Sequence, residues 1–131
     1  MRVELPIRMT HTDAAGIAYF VSYLDLAHQA YEAALESVGI PLARDLRALP
    51  VMLPIVHAEC DYAAPLRLGD RVSIDASVER VGTRSFTIAY AFFRQDGTAC
   101  GRASTVHACV SNETGRSVPL PDELRTALDA I

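Results

Sequence analysis

Thr10-His11-Thr12-Asp13-Ala14-Ala15-Gly16-Ile17-Ala18-Tyr19-Phe20 is the stretch on which the reading of this chain turns. Before it, Arg2-Val3-Glu4-Leu5-Pro6-Ile7-Arg8-Met9 alternates in the manner of an extended strand. After it, residues 22–38 read as a long helix. Leu24, Ala27, Tyr31, Leu35 and Val38 recur there at three- and four-residue spacing and form one apolar stripe. Ser22 suits the N-cap, with Asp25 three residues on, and Gly39 is placed as the stop, after which Pro41 forbids continuation. Asp13 and Gly16 therefore lie where a strand hands over to a helix. A carboxylate there can attack a carbonyl or activate water, and exposed helix N–H groups can hold a developing oxyanion. Asp13 has a structural reading too, as a turn or N-cap residue.

Working outward, the pattern changes to period two from Met52. Val72, Ile74, Ala76 and Val78 alternate with Ser73, Asp75, Ser77 and Glu79, and Phe86, Ile88, Tyr90 and Phe92 alternate with Ser85, Thr87, Ala89 and Ala91. Both runs predict strands with one buried face. Val81-Gly82-Thr83 and Gln95-Asp96-Gly97-Thr98 read as tight turns. Residues 99–111 read as a further strand, Thr114-Gly115-Arg116 as a turn, and residues 123–130 as a short helix begun by Pro121-Asp122. One long helix against a largely antiparallel sheet gives a two-layer α+β domain, with residues 1–131 as a single unit.

The composition narrows the function classes. Half of the 131 residues are apolar and 21% are charged, as in an ordinary globular protein. The net charge of −4, with no basic stripe, argues against nucleic acid as a partner. No apolar run is long enough to span a bilayer and no signal-like core opens the chain, so the expected location is cytoplasmic, with no membrane partner. There is no Lys, so any cationic contact to phosphate falls to Arg or His. Cys60, Cys100 and Cys109 form no CxxC pattern and read as small buried strand residues in a reducing compartment. His11, His28 and His107 show no ligand spacing, so neither a metal nor another cofactor is expected. No serine sits in a G-x-S-x-G context, which argues against a Ser-His-Asp hydrolase.

The order of elements and the motifs along it resemble the hotdog fold, and within it the 4-hydroxybenzoyl-CoA thioesterase family. Four fragments carry the resemblance over nearly the whole chain. The first is Thr12-Asp13-Ala14-Ala15-Gly16-Ile17-Ala18-Tyr19-Phe20 with Tyr23 and Tyr31-Glu32-Ala33. The second is Leu53-Pro54-Ile55-Val56-His57 leading to Asp61-Tyr62 and Pro65-Leu66-Arg67-Leu68-Gly69-Asp70. Val81-Gly82-Thr83-Arg84-Ser85-Phe86 and residues 114–121 complete the set. Asp-Ala-Ala-Gly followed by Tyr-Phe, Tyr-Glu-Ala and Pro-Ile-Val-His is most similar to the 1,4-dihydroxy-2-naphthoyl-CoA hydrolase branch. Another branch carries His at the position of Phe20 and Asn at that of Ser22, so a mechanism needing that His does not transfer.

The resemblance implies a five-stranded antiparallel sheet wrapped around one long helix, and hydrolysis of an aromatic acyl-CoA. Asp13 would be nucleophile or general base, and the backbone N–H of Phe20, with that of Tyr19, would be the oxyanion donor. Gly16 reads as a turn glycine and as a point of close approach to substrate, two readings that are compatible. His57 is placed near the acyl pocket without a catalytic role; a lone His in an apolar run is more often a hydrogen-bonded core or interface residue. Arg84 would meet the CoA phosphates, with Arg67 and Arg116 as weaker candidates. A homotetramer built from dimers is implied as well. The alternatives are a non-catalytic acyl-CoA-binding domain and a thioesterase for short aliphatic chains. A dehydratase would need a His motif that this chain lacks.

Overall fold

The computed structural model describes residues 1–40 and 50–131. Its elements in chain order are β1 (Arg2–Pro6), α1 (Phe20–Ser37), β2 (Val51–Met52), β3 (Ile55–Tyr62), β4 (Arg71–Val81), β5 (Ser85–Arg94), β6 (Ala99–Ala108), β7 (Val110–Ser111) and α2 (Asp122–Leu128). A single 3-10 turn, Met9–His11, separates β1 from the Asp13 segment. The five long strands form one sheet in the order β1-β4-β5-β6-β3, every pair antiparallel, and β2 pairs with β7 apart from it. The two-layer architecture expected from the sequence is the one observed.

Period-two alternation places Val72, Ile74 and Ala76 of β4, and Phe86, Ile88, Tyr90 and Phe92 of β5, on the face that packs on α1. Leu26, Ala27, Ala30, Tyr31, Ala34 and Leu35 meet them from the helix. The buried stripe is thus rotated from the expected one: Leu24 and Val38 are only half-buried, and Tyr23, Leu26, Ala30 and Ala34 take their place. Small alanines let the helix lie close to the sheet, a contribution that a count of large apolar residues passes over. α2 closes one end with Leu124 and Leu128.

The helix also begins earlier than Ser22. Its N-cap is Tyr19, which makes no side-chain capping bond, and Ser22 is a buried residue of the first turn. Its C-terminal stop follows expectation. Gly39 takes φ +85°, its N–H donates to the Glu36 carbonyl at 3.1 Å, and the Ile40 N–H donates to the Leu35 carbonyl at 2.9 Å. These are the paired bonds of a Schellman stop. Pro41, also read as a stop, lies outside the described residues.

The strand expected over residues 99–111 breaks at Cys109, whose N–H leaves the ladder and donates to the Arg84 carbonyl at 2.9 Å. Cys109 therefore lies between strands rather than in one. Cys60 is half-buried, Cys100 and Cys109 are buried, and all three are free thiols. Gly101 of β6 is needed for close approach: a Cβ there would stand 2.6 Å from the Asp61 carbonyl oxygen, with the Tyr23 ring 3.3 Å away. β3, the edge strand beyond it, is exposed on both faces for most of its length.

Candidate active site

The segment after β1 folds into a small hairpin before the helix begins. Thr12 bridges Ala18, the Asp13 N–H donates to the Ile17 carbonyl at 3.0 Å, and the Gly16 N–H donates to the Asp13 carbonyl at 3.0 Å. This pattern is a turn closed by one residue in the left-handed region. Gly16 supplies that residue at φ +73°, and a Cβ on it would meet nothing within 4 Å. The positive φ accounts for the turn-glycine reading.

Asp13 sits at the start of this hairpin, exposed. Its Oδ1 accepts the Ala15 N–H at 2.9 Å and the Ile17 N–H at 3.3 Å, an Asx turn that fixes the carboxylate's direction. Among the described residues Oδ2 has no hydrogen-bond partner, so one oxygen is anchored and the other is open. Asp13 does not cap α1, since six residues separate it from Phe20 and the cap is Tyr19.

The helix N-terminus is tied back to the same segment. The His11 carbonyl accepts the Tyr19 N–H at 3.1 Å and the Ser22 hydroxyl at 2.7 Å. The Tyr19 N–H, one of the two expected oxyanion donors, is thus engaged. Helix geometry leaves the next amides, those of Phe20 and Val21, without an intrahelical acceptor and at the positive end of the dipole. Apolar side chains crowd this corner: Met9, Tyr19, Phe20, Val21, Tyr62 and Leu68 are all exposed. Leu68 is fastened beside the hairpin by its N–H, which donates to the Gly16 carbonyl at 2.9 Å.

Tyr62 was part of a sequence motif but carried no role of its own. Its hydroxyl donates to the Phe20 carbonyl at 2.7 Å, and its ring meets Tyr23 edge-on at 4.9 Å. Nothing in the local sequence signals that bond, because the register of β3 against β6 is what brings residue 62 to residue 20.

His57 stands elsewhere within this chain. It shares a face of β3 with Glu59, and Glu59 lies opposite Ser104, on the side of the sheet away from α1. Its Nε2 is 3.3 Å from Glu59 Oε2, and both side chains are largely in solvent.

Arg84 follows the β4–β5 turn and is exposed at the far end of the sheet. Its guanidinium donates to the Ser117 carbonyl at 2.9 Å, holding the segment after the Thr114-Gly115 turn beside it. Arg125 of α2 donates to the carbonyls of Gly82 at 2.6 Å and Thr83 at 3.2 Å. Both cations brace the β4–β5 turn. Arg67 lies beside the Asp13 hairpin, where its backbone bridges Ile17. Arg116 lies in the segment that Arg84 holds.

The chain and its fold are similar to those of known proteins. Residues 7–128 match the model of the thioesterase-like superfamily. A 1,4-dihydroxy-2-naphthoyl-CoA hydrolase of Rippkaea orientalis is 38% identical over 120 residues, covering 90% of this chain and 87% of the relative. The enzyme of that name from Synechococcus elongatus is likewise 38% identical, covering 91% and 88%. The crystal structure of a 1,4-dihydroxy-2-naphthoyl-CoA thioesterase from Synechocystis superposes with a TM-score of 0.90 at 29% identity, over 99% of this chain and 96% of that one. A gentisyl-coenzyme A thioesterase superposes with a TM-score of 0.86 at 26% identity, over 98% and 99%.

Proposed function

The chain belongs to the thioesterase-like superfamily, and we propose that it hydrolyses an aromatic acyl-CoA, of the 1,4-dihydroxy-2-naphthoyl-CoA or 4-hydroxybenzoyl-CoA type, to the free acid and CoA. The observation that carries this reading is the Asp13 carboxylate, with one oxygen fixed by two amides and one open, beside the N-terminus of α1. A thioester has a good leaving group, so a carboxylate and an oxyanion donor suffice without a triad.

In this reading the thioester carbonyl oxygen points at the Phe20 N–H, and the acyl ring lies among the apolar side chains around Phe20. The open oxygen of Asp13 either attacks the carbonyl carbon, expelling CoA thiolate and leaving an anhydride that water cleaves, or takes a proton from a water that attacks directly. In both routes the tetrahedral intermediate's negative oxygen is held by the helix amide, and the thiolate leaves protonated or free.

Arg84 is assigned to the CoA phosphates. Its guanidinium is directed to solvent beside a rigid turn and uses one donor on Ser117, which leaves others for phosphate oxygens. We assign chain association to the β3 edge, with a pair of chains joined there and two pairs forming a tetramer. An exposed edge strand is a template for pairing, and Ile55, Val56 and Tyr62 on it are exposed. His57 belongs to that boundary rather than to the acyl carbonyl. Among the described residues no helix is long and apolar enough to cross a membrane, and we place the protein in the cytoplasm.

The deciding experiment is thiol release from benzoyl-, hydroxybenzoyl-, dihydroxynaphthoyl- and aliphatic acyl-CoAs. Steady release from an aroyl-CoA is expected. Tight binding without release would make the chain an acyl-CoA-binding domain, and release from aliphatic esters alone would remove the aromatic preference.

A further inference from the structure

His11 stands two residues before Asp13, and it touches both sides of the joint between the hairpin and α1. Its ring Nδ1 accepts the Arg8 N–H at 2.9 Å, which closes the 3-10 turn Met9–His11. With Nδ1 as acceptor, the ring proton sits on Nε2, which lies 3.9 Å from Asp25 Oδ2 on α1. The side chain is only 13% exposed. Its carbonyl takes the Tyr19 N–H at 3.1 Å and the Ser22 Oγ–H at 2.7 Å.

The consequence is geometric. α1 has no side-chain cap of its own. The His11 carbonyl instead takes the N–H of the N-cap residue itself, Tyr19, the amide that the N3 side chain of a capping box would ordinarily reach. By engaging Tyr19 it also determines which amide is the first left open, that of Phe20. The position of that carbonyl depends in turn on the ring, because the Nδ1 bond to Arg8 holds the turn from which it projects.

We infer that His11 is a positioning residue that holds the Asp13 hairpin in register with the N-terminus of α1, its ring acting through Nδ1 as a hydrogen-bond acceptor. This rests on the reading of Asp13 and Phe20 given above. The requirement is for an acceptor near the Nδ1 position. Asn places a side-chain oxygen close to that point, and Ala places none.

The test compares His11→Ala, His11→Asn and Ser22→Ala in the full chain. Turnover is measured on an aroyl-CoA, and amide hydrogen exchange is followed at Arg8, Asp13, Tyr19 and Phe20. His11→Ala is expected to lower kcat by about 10–100-fold with KM little changed, the scale of a misplacement near 1 Å. Exchange at Tyr19 should quicken with it, and His11→Asn should restore both. Ser22→Ala removes a donor to the same carbonyl and should give a smaller loss of the same kind; it is the decisive variant if His11→Ala does not fold. Wild-type kcat in His11→Ala, an equal fall in His11→Asn, or unchanged Tyr19 exchange in Ser22→Ala would each overturn the proposal. Failure of the catalytic reading is separable: it would appear as full turnover in Asp13→Asn, whereas exchange in the substrate-free protein reads the joint alone.

Discussion

The Tyr62 hydroxyl donates to the Phe20 carbonyl at 2.7 Å, so the edge strand β3 grips the first turn of α1 directly. Tyr62→Phe keeps the edge-on ring contact with Tyr23 and removes the hydroxyl that makes this bond. A neutral hydrogen bond contributes about 1 kcal/mol. If that is expressed in the placement of the Phe20 amide, kcat should fall ~5-fold with KM unchanged. Steady-state kinetics on one aroyl-CoA measure this, and an unchanged kcat would show that the grip serves stability alone.

Asp13→Asn keeps the size of the side chain and its acceptor for the Ala15 and Ile17 amides, and removes the charge. Turnover should drop by roughly 10³-fold or more while the substrate still binds. Wild-type turnover in this variant would remove Asp13 from the reaction.

Arg84→Ala should raise KM with kcat nearly kept, because a phosphate contact is made equally in the ground and transition states. Charge-assisted hydrogen bonds are stronger than neutral ones, but this side chain is exposed and already bonded to Ser117. The expected effect is therefore about tenfold, or ~1.4 kcal/mol, and it should shrink as salt screens the wild-type contact. An acyl-pantetheine, which lacks the nucleotide, should be indifferent to the change. Equal losses on the full and truncated substrates would place Arg84 elsewhere.

His107 gives the fold a pH dependence. It is fully buried, stacked on Phe86 at 4.9 Å and on Tyr31 at 4.2 Å. Its Nε2 is 2.8 Å from Thr105 Oγ1, which is 3.0 Å from the Tyr90 hydroxyl, and its Nδ1 is 3.4 Å from the Leu53 carbonyl. Burial pushes its pKa down from 6.5 to about 4. The folded state therefore binds this proton less well than the unfolded chain. The neutral ring's contribution is fully present above pH 6.5 and is lost as pH falls towards 4, by about 3 kcal/mol in all. Urea unfolding at a series of pH values should show this slope, and His107→Gln should flatten it. An identical slope in the variant would assign the loss to other groups.

The association proposed for the β3 edge makes a further prediction. Light scattering at micromolar concentration should give four times the mass of one chain, with the pair as the smallest folded species. Replacing Val56, which is 63% exposed on that edge, by Lys should block pairing. A mass equal to one chain for the unmodified protein would refute the assignment.

Much of this molecule could be read from its residues, and the exceptions have physical causes. The alternating strands and the Gly39 stop obey strong local rules, so β4, β5 and the end of α1 stand where expected. The helix starts earlier than expected because Ser22, a residue type that favours caps, lies inside the first turn and donates its hydroxyl to the distant His11 carbonyl instead. The break at Cys109 depends on an acceptor in another strand, at Arg84. Tyr62 and His107 matter through partners 42 and 54 residues away, which no local window contains. Asp13 was legible as a residue of interest, but its anchored and open oxygens follow from the hairpin alone.

The sheet carries register shifts between Val78 and Arg80, between Ile55 and His57, and between Phe92 and Phe93. In the first, Val78 faces Ile88 and Arg80 faces Thr87, so Glu79 is the supernumerary residue. This sets how β4 can vary in length. Deleting Glu79 would leave Arg80 outside and Val81 inside opposite Phe86, with every upstream pair intact. Deleting Ser77 instead would turn Val78 outward opposite Ala89 and Glu79 inward opposite Ile88 before the pairing recovers at Arg80. Tolerance to single-residue deletion in β4 is thus concentrated at one position, and a deletion scan across the strand should find its survivors there.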